Sequence, residues 1–265
     1  MPTETAPHTK TGHIKTIARF RSRFLPGERT LLVYLPPGYQ SRGATRYPVV
    51  YLQDGQNLFD KATSVGEEWR ADETAQGLIE AGEIEPIIMV GIYNMGDKRV
   101  DEYAPTAVEG KGGGKADEYG RMLVEEIKPL IDRKFKTLPS AASTAIGGSS
   151  LGGLLAVHLA LKYPTAFNRI AALSPSIWWD DRLLVRTVQG LPNKLPLRIW
   201  LDAGTGEGEE VLSDARALRD ALVAKGWVPD LDLRYVEANG GQHNEQSWGD
   251  RFGDVLRFLF PRKKG

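Results

Sequence analysis

Two patterns of apolar and polar residues alternate along this chain. Short apolar runs, such as 49–52 and 87–92, are nearly continuous, which is typical of strands covered on both faces. Longer segments, such as 117–135, repeat apolar residues at helical spacing. Further strands are predicted at 14–20, 29–35, 170–173, 197–201 and 231–236, and further helices at 71–81, 154–161, 181–188, 213–225 and 248–260. This alternation predicts an α/β fold with a mostly parallel central sheet and helices on both faces.

The N-terminal part of the pattern differs from the rest. Segments 14–20 and 29–35 are joined by a turn at Pro26-Gly27 and are predicted to form an antiparallel N-terminal edge. Residues 1–12 are polar and are predicted to be a flexible tail. Residues 13–265 contain no internal repeat and no low-complexity linker, so we expect them to form a single domain.

Composition excludes several classes of function. The chain has 34 Lys and Arg against 34 Asp and Glu, with no long run of one sign, which argues against a nucleic-acid partner. It has no cysteine, and therefore no disulfide, thiolate metal site or cysteine nucleophile. No apolar run is long enough to span a membrane, and no apolar leader is recognisable, so we expect a cytoplasmic protein without a membrane partner. Nothing in the composition predicts an oligomeric state.

The segment GGSSLGG at 147–153 carries the most specific chemical signal. It follows a β-prone run and precedes an apolar, helix-forming run. A serine between glycines at a strand-to-helix turn exposes its hydroxyl as a nucleophile, and glycine fits the flanking positions because it lacks a Cβ. The spacing G-x-S-x-G is satisfied by Ser150, between Gly148 and Gly152, and is not satisfied by Ser149. Ser150 is therefore the predicted nucleophile.

A serine nucleophile needs a base within hydrogen-bond reach, and the chain has four histidines. His8 and His13 lie in or near the polar N-terminal segment, and His158 lies on the helix that follows Ser150, where a packing role is expected. His243 lies in a polar loop between the last strand and the last helix, at the edge of the sheet where α/β active sites collect. It also follows the serine in chain order. His243 is therefore the predicted base.

The acid that orients this base is expected on a loop between Ser150 and His243 in the sequence. Glu207 lies beyond the glycine turn that follows the penultimate strand, from which the loop can reach the histidine. Asp202, nearer the end of that strand, and Asp180, with its neighbour Asp181, remain alternatives. Glu207 is the preferred prediction.

Two backbone N–H groups are expected to stabilise the oxyanion that forms during acyl transfer. One comes from Leu151, the residue after the nucleophile, and the other from the loop after strand 49–52. That loop has the sequence QDGQN at 53–57, in which Gly55 permits a close approach of the backbone. Gln56 is the predicted second donor.

Two other features are predicted to be structural. The glycine-rich segment 111–115 resembles a phosphate loop, but Ala116 stands where Ser or Thr would bind magnesium, so the segment is predicted to be a flexible surface loop. Arg99 and Glu102 are predicted to pair with each other and to hold a loop.

With these residues placed, four segments resemble the esterase D branch of the α/β-hydrolases. The resemblance runs from about Arg19 to Phe260. It implies the α/β-hydrolase fold and hydrolysis of carboxylic esters through an acyl-enzyme, with no metal and no organic cofactor. Its carriers are VYLPPGY at 33–39, YLQDGQNLFD at 51–60, the turn at 147–153, and HNE at 243–245.

Within this branch, SPSIWW at 174–179 and RVDEYAP at 99–105 are most similar to enterochelin-type siderophore esterases. The branch also includes feruloyl and acetyl-xylan esterases, so the expected substrate is a small-molecule or carbohydrate-linked ester. Members often have aspartate as the acid, and Glu207 departs from that pattern. Trp178, Trp179, Trp69 and Asp54 are expected to line the substrate pocket. Two alternatives stay open: an acyltransferase that uses the same three residues, and a non-catalytic binding module on this scaffold.

Overall fold

An eight-stranded β-sheet lies at the centre of the structure, a computed structural model that describes residues 7–262 of the chain. The strand order is β1-β2-β4-β3-β7-β8-β9-β10. The short strands β5 and β6 pair with each other outside this sheet. The strands are β1 His13–Arg21, β2 Glu28–Leu35, β3 Val49–Leu52, β4 Ile88–Ile92, β5 Ala107–Val108, β6 Gly112–Gly113, β7 Thr144–Ser149, β8 Arg169–Leu173, β9 Arg198–Gly204 and β10 Leu233–Ala238.

The central sheet is antiparallel at its N-terminal edge and parallel elsewhere. Strand β1 runs antiparallel to β2, and β2 runs antiparallel to β4. All pairings from β4 through β3 to β10 are parallel. The predicted mostly parallel sheet with an antiparallel edge is therefore confirmed. Because these strands are parallel, the loops after β3, β7, β8, β9 and β10 emerge at one edge of the sheet.

Helices cover both faces of the sheet, as predicted. On β2, Leu31 and Val33 face one apolar core, and Leu32 and Tyr34 face the other. Helices α1 and α8 pack on the second face, and α3 to α7 on the first. Within residues 7–262, no helix is both long and apolar enough to cross a bilayer. The helices are α1 Ala71–Glu80, α2 Arg99–Tyr103, α3 Ala116–Arg121, α4 Lys128–Lys134, α5 Leu151–Lys162, α6 Leu183–Gly190, α7 Glu209–Ala224 and α8 Glu245–Leu259.

Several predicted helix bounds differ from the observed ones, and two of the differences have a local cause. The helix predicted at 117–135 is α3 and α4 joined by a π-helical segment, Met122–Ile127. Pro129 follows this segment and has no N–H for the usual helical hydrogen bond, which accounts for the local widening. Helix α6 begins two residues later than predicted, because Asp180, Asp181 and Arg182 have φ of 47°, 49° and 57°, which a right-handed helix does not allow.

The glycine-rich segment 111–115 is more ordered than predicted. Gly112 and Gly113 form β6 and pair with β5. Gly113 has φ 98°, and a Cβ on it would lie 2.4 Å from the carbonyl oxygen of Thr106. The glycines thus serve a tight hairpin, which lies at the surface as predicted.

Part of the predicted N-terminal tail contacts the rest of the protein. Residues 1–6 of that tail lie outside the described residues. Thr9 Oγ1 donates to Glu68 Oε1 at 2.6 Å, and the Thr11 N–H donates to Asp72 Oδ2 at 2.6 Å. These hydrogen bonds hold the end of the segment against the first turn of α1 and the loop that leads into it.

Candidate active site

Ser150 lies in a strained turn between β7 and α5. Its φ of 56° and ψ of −124° fall where a non-glycine residue costs about 1–3 kcal/mol. Its N–H donates to the carbonyl oxygen of Leu173 at 3.0 Å. A Cβ on Gly148 would lie 3.0 Å from the backbone carbon of Gly152, closer than ordinary contact, so the turn favours glycine there. The turn holds the Ser150 hydroxyl at the carboxyl edge of the sheet.

His243 lies in the loop after β10 and contacts both Ser150 and Glu207. Its Nε2 is 2.9 Å from Ser150 Oγ, and its Nδ1 is 2.6 Å from Glu207 Oε2. The edge of its ring packs against Trp248 at a centroid distance of 4.9 Å. The next residue, Asn244, caps α8 by accepting a hydrogen bond from the Ser247 N–H, which fixes where this loop ends. The side chain of His243 remains 44% exposed, so solvent and ligands can reach it.

Glu207 lies in a short turn after β9, and its side chain is only 1% exposed. Its Oε1 accepts hydrogen bonds from Ser174 Oγ at 2.5 Å and from the Gly204 N–H at 2.7 Å. Burial raises the pKa of Glu207, but the hydrogen bonds from His243, Ser174 and Gly204 outweigh burial and leave the pKa below its ordinary value. Glu207 is therefore a carboxylate, which can only accept hydrogen bonds.

The alternative acids lie elsewhere. Asp202 is fully buried and accepts hydrogen bonds from Trp200 Nε1 at 2.7 Å and Arg251 Nη2 at 3.0 Å. Burial raises the pKa of Asp202, against the opposing effect of Arg251. Asp180 is near Arg186 at 3.8 Å, and Asp181 contacts the same arginine. Of the acids considered from the sequence, the geometry brings Glu207 to His243.

The loop after β3 packs on the first turn of α5. A Cβ on Gly152 would lie 3.2 Å from Gln53 Cβ and 3.5 Å from Asp54 Oδ2. A Cβ on Gly55 would lie 2.5 Å from the backbone of Gly91, so this close approach requires glycine. Gln56 follows within the turn Gly55–Asn57. The two predicted oxyanion donors, Leu151 and Gln56, thus belong to two segments in contact.

Arg99 pairs with Asp54, and not with Glu102 as predicted. Asp54 accepts hydrogen bonds from Arg99 Nε at 2.8 Å and Nη2 at 2.7 Å, and from Asn94 Nδ2 at 2.7 Å. Glu102 instead pairs with Arg29 of β2 at 3.0 Å. The predicted Arg99–Glu102 pair is wrong because Glu102 and Arg29 are both buried, so each needs the other to compensate its charge.

The three tryptophans predicted to line a pocket have different surroundings. Trp178 is 47% exposed, and Lys111 Nζ lies 4.7 Å from its ring centroid. Trp179 is buried and donates from Nε1 to Thr106 Oγ1 at 3.1 Å. Trp69 is buried among aromatic side chains of α8. Trp69 and Trp179 are thus buried in the core, whereas Trp178 has an exposed ring.

Two of the remaining histidines, His158 and His8, contact acids away from Ser150. His158 Nε2 lies 3.0 Å from Asp117 Oδ1, and His8 Nδ1 lies 2.7 Å from Asp60 Oδ2. Among the described residues, no three His, Cys, Asp or Glu side chains are grouped so that they could hold a metal ion.

Several residues around the site were not identified from the sequence. Ser176 Oγ lies 3.3 Å from Ser150 Oγ, and Ser174 and Arg251 lie beside Glu207. The two serines fall in segment 174–179, whose resemblance to siderophore esterases was a signal. No sequence signal identified Arg251, because a single arginine on an amphipathic helix usually faces solvent.

Comparison with known proteins identifies the family. The family described as "Putative esterase" matches residues 22–259. A Bacillus subtilis protein, YbbA, named as uncharacterized, is 25% identical over 251 residues, which cover 90% of this chain and 95% of YbbA. The siderophore triacetylfusarinine C esterase of Aspergillus fumigatus is 33% identical over 140 residues, 51% of this chain and 46% of that enzyme.

Solved structures show the same fold. The enterobactin esterase FES from Shigella flexneri, solved in the presence of enterobactin, superposes with a TM-score of 0.76 at 20% identity. The match covers 96% of this chain and 60% of that one. Since the family match spans nearly the whole sheet and its helices, the chain, which has the α/β-hydrolase fold, belongs to the putative esterase family and is a carboxylic ester hydrolase.

Proposed function

We propose that this enzyme hydrolyses esters through an acyl-enzyme formed on Ser150, with His243 as general base and Glu207 as the orienting acid. The observation that carries this proposal is the unbroken chain of contacts from Ser150 Oγ to His243 at 2.9 Å and from His243 to Glu207 at 2.6 Å. A nucleophile, a base and an orienting acid in this order are the parts that activate a serine hydroxyl.

The ionisation of Glu207 fixes the direction of proton transfer. A carboxylate only accepts hydrogen bonds, so His243 Nδ1 carries the proton and donates it to Glu207. The lone pair on Nε2 is then free to accept the proton of the Ser150 hydroxyl. Glu207 also stabilises the imidazolium that forms when this proton is transferred.

The reaction then proceeds in two steps. Ser150 Oγ attacks the ester carbonyl while its proton moves to His243 Nε2, and the N–H groups of Leu151 and Gln56 stabilise the oxyanion. When the tetrahedral intermediate collapses, His243 returns the proton to the leaving alcohol, and the acyl group stays on Ser150. A water molecule then attacks the acyl carbonyl and gives its proton to His243. As the acid leaves, His243 returns that proton to Ser150 Oγ, which restores the enzyme.

The proposed substrate is a small-molecule or carbohydrate-linked ester. Two comparisons support a small molecule, since the Aspergillus and Shigella proteins are named as siderophore or enterobactin esterases. The exposed His243 and the exposed ring of Trp178 leave room for a substrate at this edge of the sheet. In this proposal, Trp178 gives the substrate region an aromatic surface and Asp54 gives it a polar boundary.

Hydrolysis of p-nitrophenyl acetate by two neighbouring serine variants tests the proposal. Ser150→Ala removes the nucleophile, and we expect kcat to fall by about 10⁴-fold or more. Ser149→Ala is the matched control, because Ser149 is the buried neighbour that does not fit the motif, and it should retain wild-type turnover. Wild-type turnover by Ser150→Ala would contradict the proposal, as would loss of activity in Ser149→Ala alone.

A further inference from the structure

A second serine, Ser174, lies behind the proposed catalytic acid. It follows β8, is almost completely buried, and has φ 41°, a backbone conformation that is strained for any residue except glycine. Its hydroxyl has three partners: Glu207 Oε1 at 2.5 Å, Trp248 Nε1 at 3.1 Å and Arg251 Nη2 at 3.0 Å. A strained residue with a fully occupied hydroxyl beside a catalytic group points to a functional constraint.

The chemistry of these partners fixes the direction of the hydroxyl proton. The indole N–H of Trp248 and the guanidinium N–H of Arg251 can only donate, so Ser174 Oγ accepts from both. The Ser174 proton is therefore left for Glu207, which can only accept. Ser174 thus donates to the carboxylate, with no alternative orientation that satisfies all three contacts.

The hydrogen bond from Ser174 determines which oxygen of the Glu207 carboxylate faces His243. Its Oε1 is occupied by Ser174 and by the N–H of Gly204. Its Oε2 is the oxygen that contacts His243 Nδ1 at 2.6 Å. Two donors on one oxygen oppose rotation of the carboxylate, so the second oxygen stays in line with the imidazole.

The donors to Ser174 are themselves held in place. Trp248 and Arg251 are three residues apart on α8, so they lie on the same face of the helix. Arg251 also contacts Asp202 Oδ1 at 3.0 Å, so a buried carboxylate compensates its charge. Trp248 packs against His243 as well as Ser174. One face of α8 therefore supports both the acid and the base.

We infer that Ser174 is a positioning residue, which locks the Glu207 carboxylate toward His243 through a hydrogen bond whose direction Trp248 and Arg251 enforce. This inference rests on the proposed roles of Ser150, His243 and Glu207. Ser174 does not touch the reacting atoms and acts through Glu207. Its loss should therefore weaken the chemical step and leave substrate binding nearly unchanged.

The test compares Ser174→Ala and Ser174→Gly with the wild type in p-nitrophenyl acetate hydrolysis. Both variants remove the hydroxyl, and glycine also suits φ 41°, so at least one of them should fold. We expect kcat to fall about 10- to 100-fold, the rate equivalent of losing a hydrogen bond to a charged group. KM should change by less than about threefold, because the contact matters for the transition state more than for binding.

Two further measurements separate positioning from a general loss of structure. Thr144→Val removes another buried hydroxyl, at the opposite end of β7, and should keep the wild-type kcat. In the wild type, the proton between His243 Nδ1 and Glu207 should give a far-downfield ¹H NMR signal, since short hydrogen bonds to a carboxylate deshield their proton. That signal should broaden or move upfield in both Ser174 variants.

The outcomes distinguish this inference from the proposed function. If Ser150→Ala is inactive while both Ser174 variants keep the wild-type kcat and the downfield signal, the inference is wrong and the proposed function stands. If Ser174→Gly regains full activity and Ser174→Ala does not, Ser174 serves only the backbone, which also overturns the inference. If Ser150→Ala remains active, the proposed function itself fails.

Discussion

The carboxylate of Asp54 and the guanidinium of Arg99 meet in two parallel hydrogen bonds of 2.8 and 2.7 Å. Burial disfavours the charged guanidinium, yet the contact with Asp54 outweighs burial and raises the pKa of Arg99. Asp54 is itself in a left-handed conformation, with φ 55°, two residues before Gln56. The pair therefore fixes the loop that carries one of the two proposed oxyanion donors.

Replacing Arg99 by lysine should disturb this loop. A lysine keeps the charge but cannot make the two parallel hydrogen bonds. We expect Arg99→Lys to lower kcat about tenfold, because it displaces the proposed oxyanion donor, Gln56, without removing it. Complete loss of such a donor lowers kcat about 10²- to 10³-fold. Arg121→Lys changes an exposed ion pair with Glu125 and should have no effect on kcat. Steady-state kinetics of the two variants checks this, and equal kcat values would contradict the role of the pair.

Two buried carboxylates, Glu207 beside His243 and Asp202 beside Arg251, should respond differently to neutralisation. Glu207→Gln removes the charge that stabilises the imidazolium, and kcat should fall about 10³- to 10⁴-fold with little loss of stability. Asp202→Asn breaks the buried contact with Arg251 and should reduce the free energy of unfolding by about 3 kcal/mol. Kinetics and urea unfolding of both variants separate the effects. A folded, inactive Asp202→Asn beside an active Glu207→Gln would identify Asp202 as the acid.

The turn at Ser150 should cost the protein stability. Ser150→Ala and Ser150→Gly both remove the hydroxyl, but only glycine adopts φ 56° and ψ −124° without strain. We expect Ser150→Gly to be more stable than Ser150→Ala by about 1 kcal/mol, the lower end of the range for such backbone strain. Thermal unfolding of both inactive variants measures the difference, and equal or reversed stabilities would show that the turn stores no strain.

Asp72 should make the stability depend on pH. Burial, together with the neighbouring Glu73, raises the pKa of Asp72 far above that of an ordinary aspartate. Above the ordinary value, the unfolded chain releases a proton that the folded protein keeps, so the unfolded state binds fewer protons. The free energy of unfolding should therefore fall as pH rises, by at most about 1.4 kcal/mol per pH unit from this one group.

Asp72→Asn should remove this contribution to the slope of the free energy of unfolding against pH. Urea unfolding of the variant and the wild type is measured at several pH values between about 5 and 8. In this range, Asp72 is protonated in the folded protein more than in the unfolded chain. Asp220→Asn, at an exposed aspartate, is the control and should keep the wild-type slope. An unchanged slope in Asp72→Asn would contradict the assignment.

The fold and the core of the site could be predicted because they depend on local pattern and chain order. Continuous apolar strands predicted the parallel sheet, and the spacing around Ser150 predicted the turn. The meeting of His243 and Glu207 beside Ser150 was predictable because the loops after parallel strands emerge at one edge. Each of these predictions needs only the residue's place along the chain.

The surroundings of the site could not be predicted because they depend on which side chains meet across distant elements. Arg99 and Glu102 are close in sequence, yet each pairs with a residue from a different strand or loop. The sequence does not distinguish the exposed Trp178 from the buried Trp179, since their exposure depends on the packing around 104–113. The contact of Arg251 with Ser174 likewise joins α8 to the end of β8.

Mass spectrometry of the folded enzyme after treatment with a fluorophosphonate tests the central claim most directly, because the reagent labels a serine only when a neighbouring base activates it. The account predicts one phosphonylated residue, Ser150, with no labelling of Ser150→Ala and much slower labelling of His243→Ala. Labelling at another serine, or equally fast labelling of Ser150 without His243, would contradict it.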